Sequence, residues 1–269
     1  MNYEAITLGP VSISIYSICI LIGVLLAYLV LDGESKKNKL NSSFIFNLLF
    51  WVVIFGIIGA RVYYVLFNLD YYVEDPIEIV KIWNGGLAIH GGIIAGFFVL
   101  LYYCIKYKLN LLKMLDISAP ALILAQSVGR WGNFFNGEAY GDMVSKSYLV
   151  AHKIPSFIIK GMHIEGTYYK PLFLYESIFC LIGFLVMIIL RRLKICKTGY
   201  IISFYCLWYG IVRFFIEKSR MDSLMLGNIK IAQIISILLI ISSIGIFIYS
   251  FKKSKPYMED SASAKEIKY

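Results

Sequence analysis

The chain has 269 residues, 59% hydrophobic and only 16% charged, with a mean hydropathy of +0.72. Soluble domains lie nearer half apolar, so composition excludes an ordinary soluble domain and points to a bilayer as solvent. The net charge of +9 does not indicate nucleic acid, because the lysines gather in short loops beside apolar runs, as orientation signals do.

Seven apolar runs have about the length a helix needs to cross the hydrocarbon core: 11–31, 44–67, 87–105, 111–134, 172–190, 200–216 and 229–251. Glu4 and the lack of any basic residue before the first run argue against a cleaved signal peptide, so that run is expected to stay as a span. The fourth run contains Pro120 and a polar C-terminal half, which is tolerated where protein or a wet cavity surrounds the helix. Basic clusters follow run one (Lys36, Lys37, Lys39), run three (Lys106, Lys108, Lys113), run five (Arg191, Arg192, Lys194, Lys197) and run seven (Lys252, Lys253, Lys255). These are alternate connections, which places them in the cytoplasm, the N-terminus outside and the C-terminus inside. The second connection is acidic (Asp70, Glu74, Asp75, Glu78) and suits the outer side.

The longest connection, 136–170, is read as a small extracytoplasmic head with β-prone pieces at 156–159 and 167–169. Its Glu165-Gly166 pair can turn a hairpin between 162–164 and 167–169. Residues 1–252 thus read as one all-α, polytopic, seven-helix membrane domain, and 253–269 as a disordered cytoplasmic tail. No inverted repeat of the transporter kind is visible. Cys19, Cys104, Cys180, Cys196 and Cys206 show neither a CxxC pair nor metal-ligand spacing and read as small core residues.

Ionisable groups inside apolar spans are costly and usually functional. Arg61, His90, Arg130 and Arg213 stand out. Buried arginines without as many buried carboxylates would need an anion, and a phospholipid phosphate matches the planar fork of Arg donors. The alternative is snorkelling to an interface and pairing with Glu or backbone carbonyls. His90 sits in GGLAIHGG, where glycines leave the ring open to substrate and imidazole accepts a proton near neutral pH. Alternatively, His90 caps a helix start and the glycines serve helix packing. In GRWGNFFNGEAYG, Gly129 to Gly141, Arg130, Asn133, Asn136 and Glu138 make a polar cluster at a membrane boundary. That cluster fits a glycerol-phosphate head group or a hydrogen-bonded structural knot. Tyr209, Arg213, Glu217 and Arg220 follow one helical stripe; Glu217 either orients Arg213 for phosphate or forms a structural ion pair with it.

The run from Gly129 to Gly141 resembles the signature of bacterial prolipoprotein diacylglyceryl transferases. HGG at His90, GAR at Gly59–Arg61, LYES at Leu174–Ser177 and DSLMLG at Asp222–Gly227 follow in the family's order. The resemblance covers nearly the whole chain except the tail. It implies a seven-helix bundle with a small extracytoplasmic head, in the bacterial cytoplasmic membrane. It also implies transfer of an sn-1,2-diacylglyceryl group from phosphatidylglycerol to the lipobox cysteine thiol of a lipoprotein precursor, with release of glycerol phosphate. By position, Arg130 and Arg213 match essential arginines and His90 an essential histidine. Tyr16, Asn133, Gly141, Tyr209 and Glu217 match positions tied to activity or substrate contact. With Asn136, Glu138 and Arg61 they make up the expected substrate-binding set, and no metal or other cofactor is expected. Two departures stand out: Lys170-Pro171 where the family commonly has His-Pro, and Arg220-Met221-Asp222 where Arg-Pro-Asp or Arg-Thr-Asp is usual. The chemistry needs a proton acceptor for a thiol of pKa near 8.5 and a cationic clamp on the phosphate. Binding or transport of an anion without chemistry, and a lipid-modifying enzyme using water, remain competing readings of the same residues.

Overall fold

The structure is a computed structural model that describes residues 6–8, 11–223, 225–227 and 229–262. In chain order the elements begin with β1 (Ile6–Leu8), β2 (Val11–Ile13), α1 (Ile15–Ser35), α2 (Ser42–Leu66), α3 (Leu69–Glu74), α4 (Ile89–Lys106) and α5 (Leu111–Asn136). There follow β3 (Met143–Val144), α6 (Lys146–Ala151), α7 (Ser156–Gly161), β4 (His163–Ile164), β5 (Thr167–Tyr169) and α8 (Leu172–Leu190). The order ends with α9 (Tyr200–Lys218), β6 (Met225–Leu226), β7 (Ile229–Lys230) and α10 (Ile231–Lys253).

Seven of these helices are long and apolar enough to cross a membrane: α1, α2, α4, α5, α8, α9 and α10. The chain is a mainly helical, multi-pass membrane protein, and the expected spans agree with these helices to within a few residues. The main difference lies at the start. Residues 11–13 are not the first turn of a span but strand β2, paired antiparallel with β1. Glu4, on which the signal-peptide argument rests, lies outside the described residues, as does Leu224 of the DSLMLG element.

Span polarity follows burial. The most apolar window is the least enclosed, α10 having a mean hydropathy of 2.6 with 11% of its window buried, although α8, at 2.5 and 39%, departs from the trend. The two least apolar, α9 at 1.3 and α5 at 1.4, are 44% and 50% buried. Lipid tails reward apolar side chains all round, whereas a helix surrounded by protein can carry polar groups. Pro120 is accommodated inside α5.

The chain divides into two compact units, Met1–Val30 with Leu115–Asp260, and Leu31–Met114 with Ser261–Tyr269. In the first, Ile123 of α5, Cys180 and Met187 of α8 and Ile201 and Cys206 of α9 belong to one buried core. Asp116, fully buried, caps α9: its carboxylate accepts the Gly199 amide at 2.6 Å and the Ile202 amide at 2.8 Å. All five cysteines are free and buried, consistent with their reading as core residues.

The head has its own small core of Phe134, Ile158, Met162 and Phe173, with the Phe134 and Phe173 rings stacked at 4.6 Å. The expected hairpin is present: β4 pairs with β5, and β5 with β3. Its turn places Glu165 at φ 48° and Gly166 at φ 82°, left-handed values that a glycine adopts without a Cβ clash. Residues 156–159, expected as β-prone, are instead part of helix α7. Helical geometry lets Ile158 and Ile159 both turn inward, so tertiary burial overrides local propensity.

The disordered tail expected from 253 onward does not hold for its described part. Lys197 and Pro256 form an antiparallel bridge, Thr198 Oγ1 donates to Asp260 at 2.7 Å, and Tyr257 is 2% exposed in the main core. One buried aromatic ring offsets the ordering of a short polar segment. Residues 263–269 lie outside the described residues.

In the second unit, α2 and α4 cross at Gly59 and Gly91. A Cβ on Gly59 would stand 2.7 Å from the Gly91 carbonyl oxygen, so only glycine permits this approach. Lys113, counted among the basic loop residues, is fully buried within α5, which begins at Leu111 and so takes Lys113 out of the loop.

Candidate active site

Within the first unit, α5, α8 and α9 bring Arg130, Glu176 and Arg213 together. Arg130 Nη2 lies 2.9 Å from Glu176 Oε1, and Arg213 Nη1 lies 3.1 Å from Glu176 Oε2. One carboxylate, 2% exposed, therefore bridges both guanidinium groups. Arg213 Nη2 also lies 2.6 Å from Glu217 Oε2. That contact falls off the line of an N–H bond, so it is an ion pair without a well-formed hydrogen bond. Arg130 Nη2 donates to the Tyr209 hydroxyl at 3.1 Å, and Arg130 Nη1 to Asn133 Oδ1 at 3.4 Å. The Tyr209 ring stacks on Tyr205, 5.9 Å away and tilted by 6°. The Nε of Arg130 is buried and donates to nothing among the described residues.

The local sequence explains the arrangement. Tyr209, Arg213 and Glu217 are four residues apart on α9 and so share one face. Glu176 lies near the start of α8, one turn above Cys180. Arg130 and Asn133 are three apart on α5, and Gly132 beside them leaves room for the Tyr16 ring, which an added Cβ would meet at 2.7 Å.

Past the end of the helix the signature run turns back on itself. Glu138 Oε1 accepts from Asn133 Nδ2 and Asn136 Nδ2, both at 3.2 Å, and the Glu138 amide donates to the Asn133 carbonyl at 3.0 Å. The Ala139 amide donates to Asp222 Oδ2 at 3.0 Å, and Arg220 grips the same carboxylate through Nε at 2.7 Å and Nη2 at 3.2 Å. Burial alone would raise the Asp222 carboxyl, but the bonds from Arg220 and Ala139 outweigh it and hold it below its usual range. The Gly141 amide donates to the Lys170 carbonyl at 3.0 Å. A Cβ at Gly141 would meet Leu172 Cγ at 2.9 Å. Lys170, the residue that departs from the family pattern, pairs with Asp142 at 2.8 Å. That hydrogen bond, aided by the opposite charge, raises the lysine and lowers the carboxyl.

Of the expected residues, Arg130, Asn133, Asn136, Glu138, Tyr209, Arg213 and Glu217 thus form one connected network, with Tyr16 and Gly141 packed at its edge. Arg220 leaves the stripe, because α9 ends at Lys218. His90 and Arg61 belong to the second unit. His90 is half-buried in the first turn of α4, its ring 6.1 Å from that of Tyr63. Gly91 beside it serves the crossing with α2. Arg61 is saturated with carbonyls: Nε donates to Ile79 at 2.9 Å, Nη1 to Gly85 at 2.6 Å and Gly86 at 3.0 Å, and Nη2 to Glu78. It ties the loop ahead of His90 in place.

Two expectations change. Buried arginines do not outnumber carboxylates in this network, because Glu176 and Glu217 match Arg130 and Arg213 one for one. And Glu176, which sits inside the LYES element, joins this cluster, and reading the sequence for unusual arginines passes over it. Its signal was available: it is the only acidic residue in the span Leu172–Leu190, and such residues are expensive in lipid.

Comparison with known proteins places the chain in a family. Residues 3–249 match the profile of the family described as "Prolipoprotein diacylglyceryl transferase". A protein of Staphylococcus aureus strain MSSA476 named "Phosphatidylglycerol--prolipoprotein diacylglyceryl transferase" is 46% identical over 262 residues, 97% of this chain and 93% of that protein. One of the same name from Staphylococcus saprophyticus is 45% identical over 270 residues, 98% of this chain and 96% of that protein. With matches over nearly its full length, the chain belongs to the prolipoprotein diacylglyceryl transferase family.

Proposed function

We propose that this protein is a phosphatidylglycerol–prolipoprotein diacylglyceryl transferase, carrying out the first step of lipoprotein maturation in a bacterial cytoplasmic membrane. The thiolate sulfur of the precursor's lipobox cysteine attacks the diacylglyceryl carbon that bears phosphate. A C–S thioether forms, the C–O bond to phosphate breaks, and glycerol phosphate leaves with that electron pair. The N-terminus lies outside and the C-terminus in the cytoplasm, supported by the alternate basic clusters. The precursor and phosphatidylglycerol are the partners.

Arg130 and Arg213 clamp the phosphate, where charge grows as the C–O bond breaks. The observation that carries this is the Arg130 fork: its buried Nε donor has no acceptor among the described residues, while Arg130, Arg213, Glu176 and Glu217 are already ion-paired with one another. An oxyanion supplies the missing acceptor. Tyr209 and Asn133 fix the plane of Arg130, Glu217 fixes Arg213, and Asn136, Glu138, Tyr16 and Gly141 shape the head-group end. For His90 the support is chemical: its imidazole is the side chain suited to take the thiol proton near neutral pH. Arg61 supports the loop that precedes it. The membrane-embedded arginines argue for an anionic lipid over a soluble anion.

The test supplies purified protein with phosphatidylglycerol labelled in the acyl chains and a lipobox peptide carrying Cys or Ser. Label moves to the Cys peptide alone. Label released to water, or transferred equally to both peptides, overturns the proposal.

A further inference from the structure

Glu176 holds two cations that the transfer needs free for phosphate. Its carboxylate spans from Arg130 Nη2 at 2.9 Å to Arg213 Nη1 at 3.1 Å. It also lies 3.5 Å from the Tyr209 hydroxyl. Its side chain is 3% exposed. It therefore sits where an oxyanion bridging the two guanidinium groups would sit. Glu217 does not share this position, since among the described residues it pairs with Arg213 and not with Arg130. The cluster is thus neutral before any lipid arrives, with two arginines matched by two glutamates.

The geometry points to Glu176 as a resident anion: a positioning residue that holds both arginines in register and is displaced from them, in part, when phosphate binds. This rests on the transferase reading and adds a consequence to it. Arriving phosphatidylglycerol carries one negative charge, whereas departing glycerol phosphate is a phosphate monoester with a second ionisation near pH 6. A site of two unopposed arginines would hold the more highly charged product more tightly than the substrate. A carboxylate competing for the same donors weakens both, and weakens the dianion more. Glu176 therefore speeds product release at some cost in substrate affinity.

The variant Glu176→Gln keeps the shape and removes the charge. Binding is read without turnover, as the shift in thermal unfolding of the full-length protein in detergent with added glycerol phosphate. The expected result is tighter glycerol phosphate binding, by about tenfold. In the transfer assay KM for phosphatidylglycerol falls, kcat falls with it, and product inhibition strengthens. A merely structural role predicts the reverse: loosened arginines, a higher KM and weaker product binding, and that outcome overturns the proposal, as does unchanged binding. If Glu176→Gln does not fold, Glu176→Asp carries the test. Its shorter arm keeps the charge but reaches one guanidinium, so product binding should tighten by about threefold; no change or weakening overturns the proposal. Wild-type protein that binds glycerol phosphate but transfers no label to the Cys peptide would fail the transferase reading itself. Label transfer with unchanged binding in the variants fails only the role of Glu176.

Discussion

Replacing Arg130 by Lys keeps the charge and removes the fork, so it isolates what the planar guanidinium contributes. Arg130 forms an ion pair with Glu176 and donates to Tyr209 through Nη2, donates to Asn133 through Nη1, and keeps Nε without an acceptor among the described residues. A lysine ammonium on a flexible stem can keep the ion pair with Glu176, but it cannot also present a second, rigidly placed donor. Hydrogen bonds to charged groups contribute about 1.5–3 kcal/mol each. Loss of one bond to phosphate and loosening of a second therefore costs about 3 kcal/mol in the transition state. At about 1.4 kcal/mol per decade this is roughly 10²-fold in kcat/KM. Folding should change little, because Glu176 stays paired. The assay is label transfer to the Cys peptide, with thermal unfolding as a check on integrity. A lysine variant that keeps more than about a third of wild-type kcat/KM refutes the clamp. Arg130→Ala should behave differently, since Glu176 Oε1 then loses its cation and keeps only the Tyr209 hydroxyl at 3.5 Å. Removing one member of a buried pair costs about 3–5 kcal/mol, so that variant loses stability as well as activity.

Asp116→Ala removes both acceptors at the start of α9 and should destabilise the protein by about 2–4 kcal/mol, read as a lowered unfolding temperature. Gly59→Leu forces a side chain into the Gly91 carbonyl and should disrupt the α2–α4 crossing, with overpacking costs of about 1–3 kcal/mol or more; proteolysis or unfolding of the purified protein reports it. Tyr257→Ala empties a site in the main core and should cost about 3 kcal/mol, whereas a tail that does not pack would tolerate it. Asp222 has a lowered folded-state pKa, so its stabilisation of the signature turn is complete above its ordinary value near 3.8. That stabilisation is lost as pH falls through the lower folded value, and Asp222→Asn should abolish this acid limb in a pH series of unfolding temperatures.

Spans, hairpin and signature network were legible because each follows a local rule. Apolar length marks the helices, Glu165-Gly166 the turn, and the four-residue spacing of Tyr209, Arg213 and Glu217 the stripe. What escaped depended on partners distant in the chain. Asp116 meets the start of α9 more than eighty residues later, and no pattern around it announces a cap. Tyr257 looks like one aromatic in a polar tail until the groove it fills exists. The helix at 156–161 buries the adjacent Ile158 and Ile159 together, Ile158 in the head core, which strand alternation cannot do on one face. Arg61 shows the same limit from the other side. Its cost in an apolar span suggested a ligand, and backbone carbonyls of a loop seventeen to twenty-five residues away meet that cost instead.

The arginines of the site illustrate how buried charge should be read in a membrane. Counting cations against a bilayer singled out Arg130 and Arg213, which the structure brings together, but the charge argument is incomplete, since Glu176 and Glu217 already balance them. A buried pair whose charges cancel is a structural solution and asks for no ligand. What still asks for one is valence of another kind: a guanidinium has five donors in fixed directions, and charge neutrality does not satisfy a donor that meets no acceptor among the described residues. Arg130 Nε is in that position. It lies on α5, one of the two least apolar and most enclosed spans, so the bilayer cannot relieve it. Net charge thus accounts for the stability of the cluster, and donor geometry leaves one buried N–H without an acceptor among the described residues. Glu176 and Glu217 are thus counter-ions the cluster carries with it, and the unused Nε donor is what they leave over.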